Sequence, residues 1–236
     1  MKRYEAIFLD RDGTLSRNCP EKAGERDLAI GRIIGIADFH ISDDMKMEVF
    51  WRVMKDPNGK PVNCLAHEDE FWRKWLRLIL EDHGVHEESE TLAAELHERF
   101  CFYRIMAPYP ETIRVLEALK AQRYPMGVIS DTFPSLQESL KSMGIAHYFK
   151  SFTCSALVGA GKPDPRIFNV ALQSLGAKAE DSVFVDDCKE EADGARDQGF
   201  TSFHLDRSLA QPDFDNWTIG NLEHLLDFLA ASGEFA

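Results

Sequence analysis

Four carboxylates, those of Asp10, Asp12, Asp186 and Asp187, and the Ser130 hydroxyl stand among the polar residues at the ends of three short apolar runs in a chain of 236 residues. Ala6-Ile7-Phe8-Leu9 runs into Asp10-Arg11-Asp12-Gly13-Thr14, Gly127-Val128-Ile129 into Ser130-Asp131-Thr132, and Ser182-Val183-Phe184-Val185 into Asp186-Asp187. Asp, Ser and Thr end many strands because they favour turns, but a turn has no need of doubled carboxylates. Two carboxylates ~4 Å apart repel by roughly 4 kcal/mol at an effective dielectric of about 20. Four brought together uncompensated would unfold a domain that is stable by only ~5–15 kcal/mol. Convergence of these ends therefore requires protonation or a cation. Oxygen donors without a neighbouring histidine select a hard cation, and magnesium fits best. Lys162, in Gly161-Lys162-Pro163-Asp164-Pro165, supplies a second positive charge. Pro163 biases the Lys162 backbone away from helix, which lets the side chain project inward.

Those ends converge only if the runs share a sheet. None of the three alternates apolar with polar residues, the pattern of strands buried on both faces of a parallel sheet. Helical spacing lies between and after them. Ile113, Leu116 and Leu119 share one face over 111–122, and Leu136, Leu140 and Met143 share one over 134–143, which stops at Gly144. Residues 164–175 open with Asp164 as N-cap and Pro165 at the first helical position. Phe152–Ser155 and Phe200–Leu205 are further strand candidates, and a helix near 219–230 closes the chain. The expected fold is α/β, a doubly wound, Rossmann-like parallel sheet. Ligands bind at the carboxyl ends of such strands, where the topology reverses.

Between Leu15 and Pro108 the character changes to helical patterns without a buried strand: Trp72, Leu76 and Ile79, then Leu92, Leu96, Phe100 and Tyr103. The aromatic rows read as that segment's own core. Asp56-Pro57-Asn58-Gly59 marks a turn, compatible with a helix end or a hairpin. The expected organisation is a catalytic core of residues 1–15 and 108–236 with a mostly helical insert over 16–107.

A formal net charge of −13 disfavours nucleic acid as a partner, since duplex binding needs a basic footprint. No apolar run approaches the ~18 residues of a membrane span, and the apolar stretch after Glu5 is too short for a signal peptide. Five scattered cysteines without metal-site spacing suit reduced thiols, and Cys188 reads as a small semi-buried thiol. The expectation is a cytoplasmic protein; its oligomeric state is not legible.

Taken together, the four polar segments resemble the motifs of the haloacid dehalogenase superfamily, in its phosphatase type. Asp10-Arg11-Asp12-Gly13-Thr14, Ser130, Lys162 in its Gly-Lys-Pro-Asp-Pro-Arg-Ile-Phe run, and Val185-Asp186-Asp187 occur in the family's order. The likeness covers about residues 1–15 and 108–236; the insert resembles the family's helical caps in type more than in sequence. It implies that Asp10 is the nucleophile that forms an aspartyl-phosphate, and that Asp12 protonates the leaving oxygen and then activates water. Ser130 and Lys162 would hold the phosphoryl oxygens. Asp131, where Asn is frequent, would join them in binding the substrate phosphate, with no role assigned to its side chain. Mg2+ would be held by the Asp10 carboxylate, the Asp12 backbone carbonyl and Asp187, with Asp186 acting through a bound water.

The chain also departs from the pattern. Glu190 and Glu191 stand where relatives carry Asp or Asn, and polar Arg11 stands where many are apolar; it could meet an anionic substrate or face solvent. The implied activity is magnesium-dependent hydrolysis of a small-molecule phosphate monoester. The alternatives are a phosphomutase, a carbon–halogen hydrolase of the same superfamily, or a non-catalytic interaction protein. Asp12 and the Asp186-Asp187 pair argue against the carbon–halogen hydrolase, and the full set of charged residues argues against an interaction protein.

Overall fold

The computed structural model describes residues 4–233, which divide into two compact units: one formed by the described residues up to Arg17 together with those from Ala107 onward, and the other by Asn18–Met106. The first unit is built on a six-stranded parallel sheet of β1 (Ala6–Leu9), β4 (Met126–Ser130), β5 (Ser151–Cys154), β6 (Ser182–Asp186), β7 (Thr201–Leu205) and β8 (Thr218–Ile219), in the order β5-β4-β1-β6-β7-β8. The chain leaves through β2 (Ser16–Asn18) and returns through β3 (Met106–Pro108), which pair as a separate two-stranded sheet.

Strand parity explains the layers. Ile7 and Leu9 point to one face of β1, where they join Val128, Val183 and Val185. That face is covered by α5 (Thr112–Ala121), α6 (Leu136–Ser142) and α10 (Glu223–Ala231), through Val115, Leu116, Leu119, Leu140, Leu225 and Leu229. Ala6 and Phe8 point to the other face. There, with Ile129 and Phe184, they meet Ile167, Phe168 and Ala171 of α8 (Pro165–Leu175) and Ala195 of α9 (Lys189–Asp197). Both faces of the sheet are dry, so its strands carry no alternation. The fold is α/β and Rossmann-like, as the apolar runs predict.

After the short α7 (Ser155–Val158), helix α8 starts at its sequence signal: Asp164 accepts a hydrogen bond from the Arg166 backbone N–H at 2.9 Å, and Pro165 holds the first helical position. Gly176 ends the helix at φ 64°. From β1 the chain steps to β4 and β5 on one side and to β6, β7 and β8 on the other. The order therefore reverses at β1, and the carboxyl ends of β4, β1 and β6 are neighbours.

The second unit contains α1 (Pro20–Ile34), α2 (Asp43–Met54), α3 (Leu65–Asp82) and α4 (Ser89–Phe100). The Asp56–Gly59 turn closes α2, with the Gly59 N–H donating to the Asp56 carbonyl at 2.9 Å; it is a helix end, not a hairpin. Phe71, Trp72 and Trp75 are buried on α3, and Trp72 stacks on Phe102 with centroids 4.5 Å apart. These rings are packed core.

Candidate active site

At the carboxyl end of β1, Asp10 follows the last strand residue, and its N–H is tied to the Val185 carbonyl of β6 at 2.9 Å. Asp186 ends β6 and Ser130 ends β4; both are buried. The Lys162 side chain reaches this point from the loop that precedes α8. Its ammonium lies 2.8 Å from Asp10 Oδ1, 2.6 Å from Asp186 Oδ2 and 2.7 Å from Glu191 Oε2. Below it is the Phe184 ring, 5.6 Å to the centroid. One buried cation thus meets three carboxylates.

That balance sets the titration of the site. Burial opposes the charge on Lys162, yet the fields of Asp10, Asp186 and Glu191 outweigh it and hold its pKa well above the ordinary lysine value. Burial pushes Asp10 up to about 7, against the pull of Lys162 and with the push of Asp186 and Asp12. Burial likewise raises Asp186 to about 6, even though Lys162 and the Cys188 N–H (2.8 Å to Oδ1) favour its anion. Asp187 is also raised, first by burial.

Asp10, Asp186 and Asp187 each offer a carboxylate oxygen, and these oxygens lie within 4.8 Å of one another. A site rich in anionic oxygen with one lysine for compensation fits a hard divalent cation. Gly13 makes room for the third carboxylate. Its φ is +76°, and a Cβ there would fall 1.9 Å from Asp187 Oδ2. Arg207 clamps the same loop, donating to the carbonyls of Gly13 (2.8 Å) and Thr14 (2.7 Å) and pairing with Glu111 at 2.7 Å.

A sequence model of a family described as haloacid dehalogenase-like hydrolase matches residues 4–199. The chain belongs to that family. Two curated relatives give the likeness along nearly the whole length. One is a phosphoserine phosphatase from Thermus thermophilus, 29% identical over 88% of this chain and 90% of its own. The other is a glyceraldehyde 3-phosphate phosphatase from Methanocaldococcus jannaschii, 30% identical over 95% of this chain and 96% of its own. In three dimensions the chain is similar to a 2-haloacid dehalogenase from Pseudomonas syringae pv. Tomato, at TM-score 0.68 and 24% identity over 97% of this chain and 99% of that one. That likeness establishes the fold. This haloacid dehalogenase-like protein is a hydrolase of the phosphatase type.

Of the residues singled out in the sequence, Asp10, Asp186, Asp187 and Lys162 come together directly. Asp131, expected beside the phosphate site, has its Oδ1 occupied by the Lys162 backbone N–H at 3.0 Å and packs close to Gly161; it braces the lysine loop. The Asp12 side chain lies apart from the carboxylate cluster and is held by Arg11. Of the two roles considered for Arg11, solvent exposure does not fit: its side chain is 2% exposed and pairs with Asp12, and its Nη1 and Nη2 also donate to Ser139 and Thr132. Glu191, which in the sequence is only a departure from the family pattern, is the third anion on Lys162. Arg207 and Glu111 gave no signal at all, because their partners are backbone carbonyls and each other.

Proposed function

We propose that this hydrolase is a magnesium-dependent phosphomonoesterase that acts on a small phosphorylated metabolite through an aspartyl-phosphate. The observation that carries the reading is the buried Lys162 ammonium between Asp10 and Asp186, with Asp187 beside them. A nucleophilic carboxylate, a fixed cation and a set of hard oxygen donors at one strand end match phosphoryl transfer. Phosphoserine and glyceraldehyde 3-phosphate, the substrates in the two relatives' names, are both small phosphate monoesters, which supports that substrate class.

Asp10 Oδ attacks phosphorus, and the bond from phosphorus to the ester oxygen breaks. Asp12, whose side chain is half exposed, gives its proton to the departing alkoxide. A water then attacks the phosphorus of the aspartyl-phosphate and yields a proton to Asp12; the bond to Asp10 breaks and inorganic phosphate leaves. Ser130 and Lys162 hold the non-bridging oxygens as charge spreads over them. The Asp10 and Asp187 carboxylates and the Asp12 backbone carbonyl would hold Mg2+, with Asp186 acting through a bound water; the ion when bound would offset the charge of the carboxylates and of the phosphoryl group. Lys162 keeps the second positive charge in place throughout.

A carbon–halogen hydrolase has no use for Asp12 or for the Asp187 carboxylate, so those residues favour the phosphatase. The helical unit, read as a cap, would choose the substrate and decide between water and a sugar hydroxyl as acceptor. All five cysteines are free, as suits a reducing compartment, and this supports a cytoplasmic location. No helix among the described residues is long and apolar enough to cross a membrane. The test is a panel of phosphate monoesters assayed with magnesium and with excess chelator. Hydrolysis that vanishes on chelation and returns with magnesium is expected. Full activity in chelator would overturn the reading.

A further inference from the structure

Arg11 is one of the largest fully buried side chains of the protein, and it stands between the two aspartates of the first motif. Its guanidinium grips the neighbouring Asp12 with two parallel bonds, Nε to Oδ1 at 2.9 Å and Nη2 to Oδ2 at 2.6 Å. The fork is anchored behind. Nη2 also donates to Thr132 Oγ1 at 2.7 Å, and Nη1 donates to Ser139 Oγ at 3.1 Å. Ser139 spends its own proton on the Leu136 carbonyl at 2.7 Å, which leaves an oxygen lone pair facing the arginine. The Arg11 backbone is fixed as well, its carbonyl accepting from the N–H groups of Leu15 (2.9 Å) and Ser16 (2.8 Å).

A buried guanidinium cannot shed its charge and must be paired. Here an exposed neighbour supplies the anion: the Asp12 side chain is 49% exposed, against 2% for Arg11. An aspartate so exposed would ordinarily sample several rotamers. Two bonds to a rigid planar donor select one of them, and each carboxylate oxygen keeps a lone pair for a proton. Lysine, a point charge, would not fix the carboxylate plane.

We propose that Arg11 is a positioning residue, which holds the Asp12 carboxylate in the orientation needed to pass protons and ties it to the Thr132–Ser139 segment that follows β4. The inference rests on the phosphatase reading. It assigns Arg11 no contact with substrate.

The test separates proton transfer from everything else. A p-nitrophenolate leaves without a proton, whereas an alkoxide needs one. Single-turnover phosphorylation is measured with magnesium for p-nitrophenyl phosphate and for an alkyl phosphate, in the wild type, Arg11→Met, Asp12→Asn and the double variant. Misorienting Asp12 should slow the alkyl ester by roughly 10–100-fold and the aryl ester only a few-fold. The double variant should be no slower than Asp12→Asn alone, because Arg11 acts through Asp12. An equal loss on both esters, or a double variant slower than Asp12→Asn, would overturn the proposal and leave the phosphatase reading standing. A wild type inactive on both esters would overturn that reading and the inference with it. Thr132→Val, which loosens the anchor and keeps the arginine, guards against a misfolded Arg11→Met. It should show the same preference for the aryl ester in weaker form, and its absence would also overturn the proposal.

Discussion

Gly13 and Asp187 share one volume: the space where a Cβ of Gly13 would stand is filled by the Asp187 carboxylate, 1.9 Å from Oδ2 to that ideal position. The first motif and the last are thus packed backbone against side chain. The glycine is required twice, for its φ of +76° and for the room it leaves. Gly13→Ala should cost about 1–2 kcal/mol in backbone strain alone. It should also push Asp187 away from Asp10 and Asp186, so magnesium titrations of activity should show half-saturation raised at least several-fold. A variant with wild-type magnesium dependence would show that Asp187 is not a ligand.

The three-carboxylate contact of Lys162 predicts a large effect on folding. Lys162→Met removes the charge that faces Asp10, Asp186 and Glu191. Breaking a buried ion pair by removing one partner costs about 3–5 kcal/mol, and urea unfolding at pH 8 in chelator should show a loss of that order. The loss should shrink at pH 5, where the variant's carboxylates take up protons.

Stability of the metal-free protein should fall as pH rises. Asp10 and Asp186 are pushed up to about 7 and about 6, above the ordinary value of 3.8. Between about pH 4 and 7 the folded state therefore binds more protons than the unfolded chain, and the unfolding free energy declines with increasing pH. The two groups titrate as a pair. Asp10→Asn should be more stable than the wild type at pH 8 in chelator and equal to it near pH 4, as read by denaturant midpoints. Saturating magnesium should remove most of the difference by stabilising the wild type. A wild type that gains stability from pH 5 to 8 relative to Asp10→Asn would contradict the burial of these charges.

The two aspartates of the first motif should fail differently. Asp10→Asn should abolish turnover and any covalent phosphoryl-enzyme, because the attacking oxygen is lost. Asp12→Asn should still give a burst of p-nitrophenolate followed by slow turnover, since the base that activates water is gone. With an alkyl phosphate the burst should disappear, at a cost of ~100-fold or more in the first step. A burst from Asp10→Asn and none from Asp12→Asn would reverse the assigned roles.

By itself the sequence determined the α/β class and which residues end the central strands. Strands dry on both faces must be uniformly apolar, and polar residues begin where that burial stops, so Asp10, Ser130 and Asp186 were marked by position alone. Lys162 was legible because a proline follows it and a capped helix begins two residues later. Tertiary structure alone decided what surrounds them. From the sequence Arg11 could meet an anionic substrate or face solvent; only in the folded chain do residues 121 and 128 positions away close over it. In the sequence Glu190 and Glu191 stand out only as departures from the family's Asp or Asn; both lie in the first turn of α9, where the helix dipole favours acidic residues anywhere. Only the rotation of α9 about its axis turns Glu191 onto Lys162, and that rotation is set by burying Ala192 and Ala195 against the sheet, a long-range packing choice that no local spacing encodes.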